Sequence, residues 1–312
     1  MRTELNFLEV HFLVKEFMPL VGSRVNKVYE SDGVLLAFHK EGKKTFLRIT
    51  PKVVWLTQKK PETDAVAHMV SSLRSFLEGK RLASVEQVGC ERIVKFTFET
   101  KDDRFVLIVE LFSNGNLIVV DKEDKIVLAK EERAWRDREI RRGLKYCAPP
   151  QRKDLFNLSE PDLPNDEKEL AMLGFGKVLA KEIVARGGFK GYRELLAEKE
   201  SARLYSDGEL SPIKLMQYSE EGVPYPSFSA LIDDQLSETL KKLRVERAKS
   251  DYTEKRKKVE DVILAQTKLL EKVESQAKDM QRRGEFVYER YQELEVLLLE
   301  LRKAREKFSW KE

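Results

Sequence analysis

Two clusters in this chain carry residue types suited to holding phosphate. The first is Leu173-Gly174-Phe175-Gly176-Lys177, inside LAMLGFGKVLAKEIVARGG. Hydrophobic-Gly-hydrophobic-Gly is the helix–hairpin–helix pattern, in which two glycines permit a turn that ordinary side chains block. Such a turn aims backbone N–H groups and a helix N-terminus at an anion. Lys177 and Lys181, one helical turn apart, add charge. The same pattern also makes plain packing turns and protein-binding wedges, and the spacing favours neither use. The second cluster is basic. Lys130 to Lys153 holds nine Lys/Arg and four Asp/Glu, while the whole chain carries only +4. A local excess of this kind attracts phosphates even when the molecule is nearly neutral. Arg133, Arg136, Arg138, Arg141, Arg142 and Lys145 are its candidate contacts, because an arginine fork can donate two hydrogen bonds to one phosphate. Helical spacing sets Arg138 beside Arg141 and Arg142, and Arg133 beside Arg136. Ion pairs with Glu131, Glu132, Asp137 and Glu139 explain some of these arginines as a solvated face, and explain the whole set less well. A third group, Glu91-Arg92, leads into a strand, where charged residues are commonplace.

Bond-making chemistry has no signature here. There is no P-loop, no GxGxxG and no Ser/His/Asp arrangement. The two cysteines, Cys90 and Cys147, and the three histidines are scattered, so neither metal nor cofactor is expected. Unpatterned cysteines suit a reducing cytosol. The N-terminal MRTELNFLEVHFLVKEF is too charged for a signal peptide, and no apolar run reaches the roughly 20 residues of a membrane span. The expectation is a cytoplasmic protein that binds rather than catalyses and has no membrane contact.

The elements that must position these residues read as α+β. Apolar residues at three- and four-residue spacing predict a helix over 5–21, stopped by Gly22. RVNKVYE, VLLAFHKEG, KTFLRITP and VVWLTQ read as an antiparallel meander, with Asp32-Gly33 as one of its turns. A helix is expected from Asp64 to Leu77, then further strands, with Asn114-Gly115 as a hairpin turn. The basic stretch 130–145 is expected to be helical at least in part, and Pro149-Pro150 to mark a boundary. The resulting domains are 1–150, a small helical region 151–205, a short irregular or strand-bearing connector 206–234, and a coil over 235–312. In the last, a four-then-three apolar spacing runs from Val259 through Leu270 and Leu298 to Phe308. Gln266 and Arg305 interrupt it. Gly284 costs about 1 kcal/mol against Ala and predicts a bend or break, although the phase continues across it. Such a seam needs a second chain, a fold-back at Gly284, or a helix outside this sequence.

The run LRITPKVVWLTQKKPETDAVAHMVSSLRSFLEGKRLASVEQVGCERIVKF resembles the N-terminal domain of the NFACT family, which includes RqcH and NEMF and was once called fibronectin-binding protein A-like. The resemblance continues through VELFSNGNLIVVD, REIRRGLKYCAPP, the helix–hairpin–helix and YPSFSALIDDQL. RRGEFVYERYQ and LRKAREKFSW look most like archaeal members. It implies a mixed N-terminal domain similar to formamidopyrimidine-type DNA glycosylases, then a helix–hairpin–helix domain, then a long coiled-coil helix. Glycosylase chemistry is not carried over, since those enzymes expose an N-terminal proline and this chain begins Met1-Arg2. The resemblance also implies that the sequence is an N-terminal fragment, with a returning coil helix and a further RNA-binding domain beyond it.

The family's role implies the partners: the large ribosomal subunit, a stalled tRNA-linked nascent chain, and tRNA (often alanyl-tRNA) recruited for C-terminal tailing. The ribosome makes the bond, so the factor positions and is not an enzyme. The acidic positions the family uses for tRNA fall on Glu9 and Glu91, each one methylene longer than the usual aspartate, and the neighbouring arginine falls on Arg92. The alternative from a different class is an intracellular coiled-coil adaptor without an RNA role. Coil-mediated pairing of two copies is compatible with either.

Overall fold

The computed structural model describes residues 4–30, 33–59, 68–150 and 153–307. The chain divides into two compact units, residues 1–242 and 243–312.

The first unit is built on a nine-stranded antiparallel sheet. Its strands are β1 (Arg24–Glu30), β2 (Val34–Lys40), β3 (Lys43–Ile49), β4 (Val54–Thr57), β5 (Arg81–Gln87), β6 (Ile93–Glu99), β7 (Arg104–Glu110), β8 (Asn116–Val120) and β9 (Ile126–Ala129). They lie in the order β4-β3-β2-β1-β5-β6-β7-β8-β9, two meanders joined where β1 meets β5. Side chains alternate between sheet faces. Val94, Phe96, Phe98, Leu107, Val109 and Val119 face the main core, and Ile93, Val106, Ile108, Ile118 and Val120 face a second one. Gly115 must be glycine. It turns β7 into β8 with φ +67°, and a Cβ there would collide with the Pro51 carbonyl oxygen.

Helix α1 (Phe7–Phe17) has apolar residues on two faces. Val10, Leu13 and Phe17 pack on the sheet with α2 (His68–Leu77). Phe7, Leu8 and Phe12 pack into a separate cluster with the helical module that follows. The expected start of α2 at Asp64, and Asp32 of the Asp32-Gly33 turn, lie outside the described residues.

That module comprises α3 (Glu167–Leu170), a wide π turn over Ala171–Phe175, α4 (Gly176–Ala185) and α5 (Phe189–Ala197). Three short strands follow: β12 (Arg203–Leu204) pairs with both β13 (Leu210–Ser211) and β14 (Val223–Pro224). The module is not separable at residue 150. Its core takes three side chains from α1 together with Leu155, Phe175, Tyr192 and Tyr205.

The basic stretch 130–145, expected to be partly helical, is instead a β-hairpin of β10 (Arg133–Ala134) and β11 (Glu139–Ile140). Trp135 N–H donates to the Arg138 carbonyl at 2.8 Å and closes the turn. Asn116 clips the entry, accepting from and donating to the Glu131 backbone at 3.0 Å each. Ile140 anchors the return by complete burial. Distant partners thus override a local helical tendency, as tertiary context routinely does.

The long helix α6 (Phe228–Glu289) starts at Phe228, before the boundary expected at 235. Phe228, Leu231, Ile232 and Leu236 sit in the main core, with Trp55 Nε1 donating to Asp233 at 2.9 Å. Its first amides donate to two carboxylates: Phe228 N–H to Glu16 at 2.7 Å and to Glu200 at 2.5 Å, and Ser229 N–H to Glu16 at 3.1 Å. A helix N-terminus favours negative charge, but two carboxylates this close compete for one site.

In the second unit α6 continues through Gly284 without the expected bend. The interruption comes at Arg290, before α7 (Tyr291–Lys307). Hydrogen bonds bridge it, from Arg290 N–H to the Phe286 carbonyl and from Leu294 N–H to the Arg290 carbonyl. The apolar seam residues Val259, Ile263, Leu270, Val273, Leu298 and Leu301 are all exposed. Ion pairs one turn apart, such as Arg256–Glu260, line the helix surface. Phe308 lies outside the described residues.

Desolvation, and then the Glu16 carboxylate beside it, push the Glu200 carboxyl up to about 8. A folded-state value above the unfolded one favours the protonated native form. Its stabilisation is complete below about pH 4.5, the usual glutamate range, and is lost as pH rises through 8. The melting temperature is therefore expected to fall between pH 5.5 and 8.5 more in the wild type than in Glu200→Gln. Parallel pH profiles of the two proteins would rule this out.

Candidate nucleic-acid interface

The β5–β6 turn and the helical module face each other across a cleft of about 750 Å³. Glu91 and Arg92 lie on one wall, and Gly174, Gly176 and Lys177 on the other. Phe112 and Pro149-Pro150 complete the lining, with Met172, 88% exposed, at the rim.

The Glu91–Arg92 wall is held by backbone bonds. Gln87 Nε2 donates to the Phe7 carbonyl at 2.8 Å and to the Glu91 carbonyl at 3.0 Å, fixing the turn to the start of α1. Leu111 N–H donates to the Arg92 carbonyl at 2.8 Å. The Arg92 guanidinium donates to Glu4 at 3.1 Å, and Lys52 pairs with the same carboxylate. These two cations hold the Glu4 carboxyl below its ordinary range. The Glu91 backbone is thereby placed, and the residue lines the cleft.

The opposite wall depends on glycine. Gly174 has φ +124° and Gly176 φ +75°, backbone conformations that side chains resist. The turn brings the first residues of α4 to the cleft. This helix has no side-chain cap and no acidic residue in its first turn. Its leading amides and exposed Lys177 therefore present positive potential. Lys181, one turn later, is exposed but does not line the cleft.

Glu9 is placed elsewhere. It is buried, and with Asn6 it makes a reciprocal cap on α1: Asn6 N–H donates to Glu9 at 2.7 Å, and Glu9 N–H to Asn6 Oδ1 at 2.9 Å. It lies outside the lining of the cleft. Cys90, at the cleft's floor, accepts from Leu155 N–H at 3.0 Å, and burial pushes its thiol up to about 11, so it is a poor nucleophile.

The basic cluster is divided by the hairpin. Arg138, expected as a phosphate contact, is a structural residue. Its side chain is 5% exposed and pairs with Glu110, 2% exposed, through bonds of 2.6 and 3.1 Å. Tyr146 also donates to Glu110, at 2.9 Å. The helical adjacency of Arg138 with Arg141 and Arg142 is therefore absent. Arg141 pairs with Glu139 at 2.7 Å. Arg133, Arg136 and Lys145 stay exposed, their side chains without a carboxylate partner among the described residues; Arg142 is also exposed, with its backbone N–H donating to the Glu132 carboxylate at 3.2 Å. Arg152 lies outside them. Sequence reasoning missed Glu4, Phe112 and Trp135; only Trp135, an aromatic residue within the basic run, carried a visible signal. No group of three acidic, His or Cys residues able to hold a metal occurs among the described residues, and no helix there is long and apolar enough to cross a membrane.

A broad antiparallel sheet with a glycine-turned helical module closing a cleft at the ends of its inner strands defines the class. The chain belongs to the family described as NFACT N-terminal and middle domains, whose pattern matches residues 6–310. It is 29% identical to the archaeal Rqc2 homolog aRqcH of Methanocaldococcus jannaschii, over 99% of this chain and 54% of that protein. It is 26% identical to the Rqc2 homolog RqcH of Streptococcus pneumoniae, over 78% of this chain and 49% of that one. The chain thus spans about half the length of these relatives. In structure it resembles the N-terminal part of the fibronectin/fibrinogen-binding protein from Streptococcus suis, with a TM-score of 0.67 and 20% identity over 75% of this chain and all of the other.

Removing one partner of a buried ion pair leaves the other charge uncompensated, typically at about 3–5 kcal/mol. Arg138→Ala is expected to destabilise the first unit on that scale in urea unfolding. Arg136→Ala, an exposed change, should stay within about 0.5 kcal/mol. Equal midpoints for the two variants would refute the division of the arginines.

Proposed function

We propose that this protein is a cytoplasmic ribosome quality-control factor that binds RNA of the large ribosomal subunit and a tRNA on it. One observation carries the reading. Glu91 and Arg92, the positions that match the family's tRNA-handling residues, face the Gly174–Lys177 turn across a single cleft. Two regions about 80 residues apart in sequence supply complementary chemistry. The α4 amides, Lys177 and Arg92 suit phosphate. The Glu91 carboxylate suits an amine or the exocyclic amino group of a base. The names of the relatives in archaea and bacteria, as Rqc2 homologs, support the cellular role, as does the relative named ribosome quality control complex subunit NEMF homolog of Drosophila melanogaster, 33% identical over 39% of this chain and 13% of its own length.

On this reading the protein positions tRNA for C-terminal tailing of a stalled nascent chain, and the ribosome forms the bond. The Gly174–Gly176 turn acts as a helix–hairpin–helix contact. The exposed seam of α6 and α7 pairs into a coiled coil. Glu in place of Asp at 91 lengthens the acidic reach by one methylene and leaves its charge intact.

Co-sedimentation with purified large subunits tests the reading. Wild-type protein should pellet with subunits and be released steeply by salt, since phosphate contacts liberate counterions. Lys177→Glu combined with Arg92→Gln should weaken binding about tenfold and flatten the salt dependence, on the order of one unit of slope per lost phosphate contact. Pelleting by the double variant equal to wild type, at every salt concentration, would remove the cleft from the interface.

A further inference from the structure

The β10–β11 hairpin presents an aromatic ring, Trp135, among several arginines, and the cleft does not account for it. Trp135 is 40% exposed at the start of the turn. The Arg138 guanidinium lies 4.6 Å from its ring centroid and 5.6 Å from that of Phe112. That guanidinium is in turn clamped by Glu110, so the tryptophan lies against a cation that is itself held by an ion pair. Arg133, with no ion pair among the described residues, lies 5.4 Å from the same ring. Arg136 sits at the tip, and Arg142 and Lys145 follow on the return strand side, all exposed.

Trp135 belongs to none of the hydrophobic cores, and about two fifths of it is open to solvent. Arg133, Arg136 and Arg142, whose side chains form no ion pair among the described residues, keep their charge available. Together they match how proteins grip unpaired nucleotides: a ring on which a base stacks, with cations along the backbone. A duplex keeps its bases stacked internally and offers none to the ring. We infer that the Trp135 hairpin is a second RNA contact, one that stacks an unpaired base on Trp135 and holds the adjoining phosphates with Arg133, Arg136 and Arg142. This deepens the proposed function by naming single-stranded or looped-out RNA as the ligand of this surface, and it rests on that reading for its cellular setting.

The whole chain is titrated by fluorescence anisotropy against a labelled, unstructured 12-nucleotide RNA and against the same strand annealed to its complement. The wild type should prefer the single strand. Trp135→Ala should bind the single strand about tenfold more weakly, the scale of one lost base stack, and bind the duplex unchanged. Trp135→Phe should recover most of the loss. Reversal of Arg133, Arg136 and Arg142 to Glu should weaken both forms and flatten the salt dependence. Far-ultraviolet dichroism and the urea-unfolding midpoint verify folding of each variant. Three results overturn the inference: Trp135→Ala binding the single strand like wild type, a wild-type preference for duplex, or polyglutamate displacing RNA at equal charge concentration, which would make the hairpin an acidic-peptide site. The two readings fail separately. Loss of the hairpin contact alone leaves subunit co-sedimentation dependent on Lys177 and Arg92. Loss of the ribosome reading alone leaves the Trp135-dependent preference for single strands intact.

Discussion

Helix α1 is shared between two cores, and that sharing is the constraint on which the site depends. Val10, Leu13 and Phe17 bury against the sheet, and Phe7, Leu8 and Phe12 bury against the helical module. Each such side chain contributes about 1.5–3 kcal/mol on burial, so both halves are strongly coupled to one short rod. The rod is also fixed at its N-terminal end, by the Asn6–Glu9 cap and by the Gln87 bond to the Phe7 carbonyl. A cleft between the sheet's turn and the module can then have constant width. With the walls so fixed, binding at the cleft loses little to ordering of the protein.

The arginines show how charge is divided between holding the fold and meeting a ligand. Arg138 lies inside, with both oxygens of Glu110 and the Tyr146 hydroxyl around it, and burial together with Glu110 pushes that hydroxyl's titration upward. A buried ion pair adds little net stability over an apolar substitute, but its directional bonds specify one geometry. Here they set the hairpin's turn over Phe112. The charge left for a partner belongs to Arg133, Arg136, Arg142 and Lys145. That is fewer residues than the local sequence excess suggests, and the pair of Arg141 with Glu139 reduces it further.

Much of the sheet was legible in the sequence because its signals are local. Alternation in RIVKFTFET and RFVLIVELF sorts each strand between two cores, and Asn114-Gly115 turns where only glycine fits. The hairpin at 130–145 was not legible. Its causes are Glu110 and Asn116, which lie 28 and 15 residues from their partners and leave no periodic trace. Other signals were present but assigned differently. Asn6 and Glu9 spell a capping box, and Glu9 was expected at a ligand instead. Pro226-Ser227 marks the start of α6, where Ser227 accepts from Ala230 N–H at 3.1 Å. At Gly284 the intrinsic cost of glycine is about 1 kcal/mol, too little to break a helix that long. Of the cleft, each wall was visible as a motif, but their meeting was not, since no spacing rule connects residues 91–92 with 174–177.

The end of β7 joins the two surfaces proposed to meet RNA. Three consecutive residues do three jobs there. Glu110 clamps Arg138 under the hairpin, Leu111 N–H holds the Arg92 carbonyl, and Phe112 lines the cleft while lying against Arg138. The cleft and the hairpin are therefore not independent loops on a common scaffold. They are fastened to the same strand end, itself paired in register to β6 and β8. An RNA that reached both surfaces would meet a fixed spacing between the Arg92 side and the Trp135 side, set by backbone rather than by flexible side chains. Fixed spacing is what distinguishes reading the shape of a folded RNA from attracting phosphate in general. The modest net charge of +4 fits the proposed division of labour, in which attraction would be local and placement left to the strand.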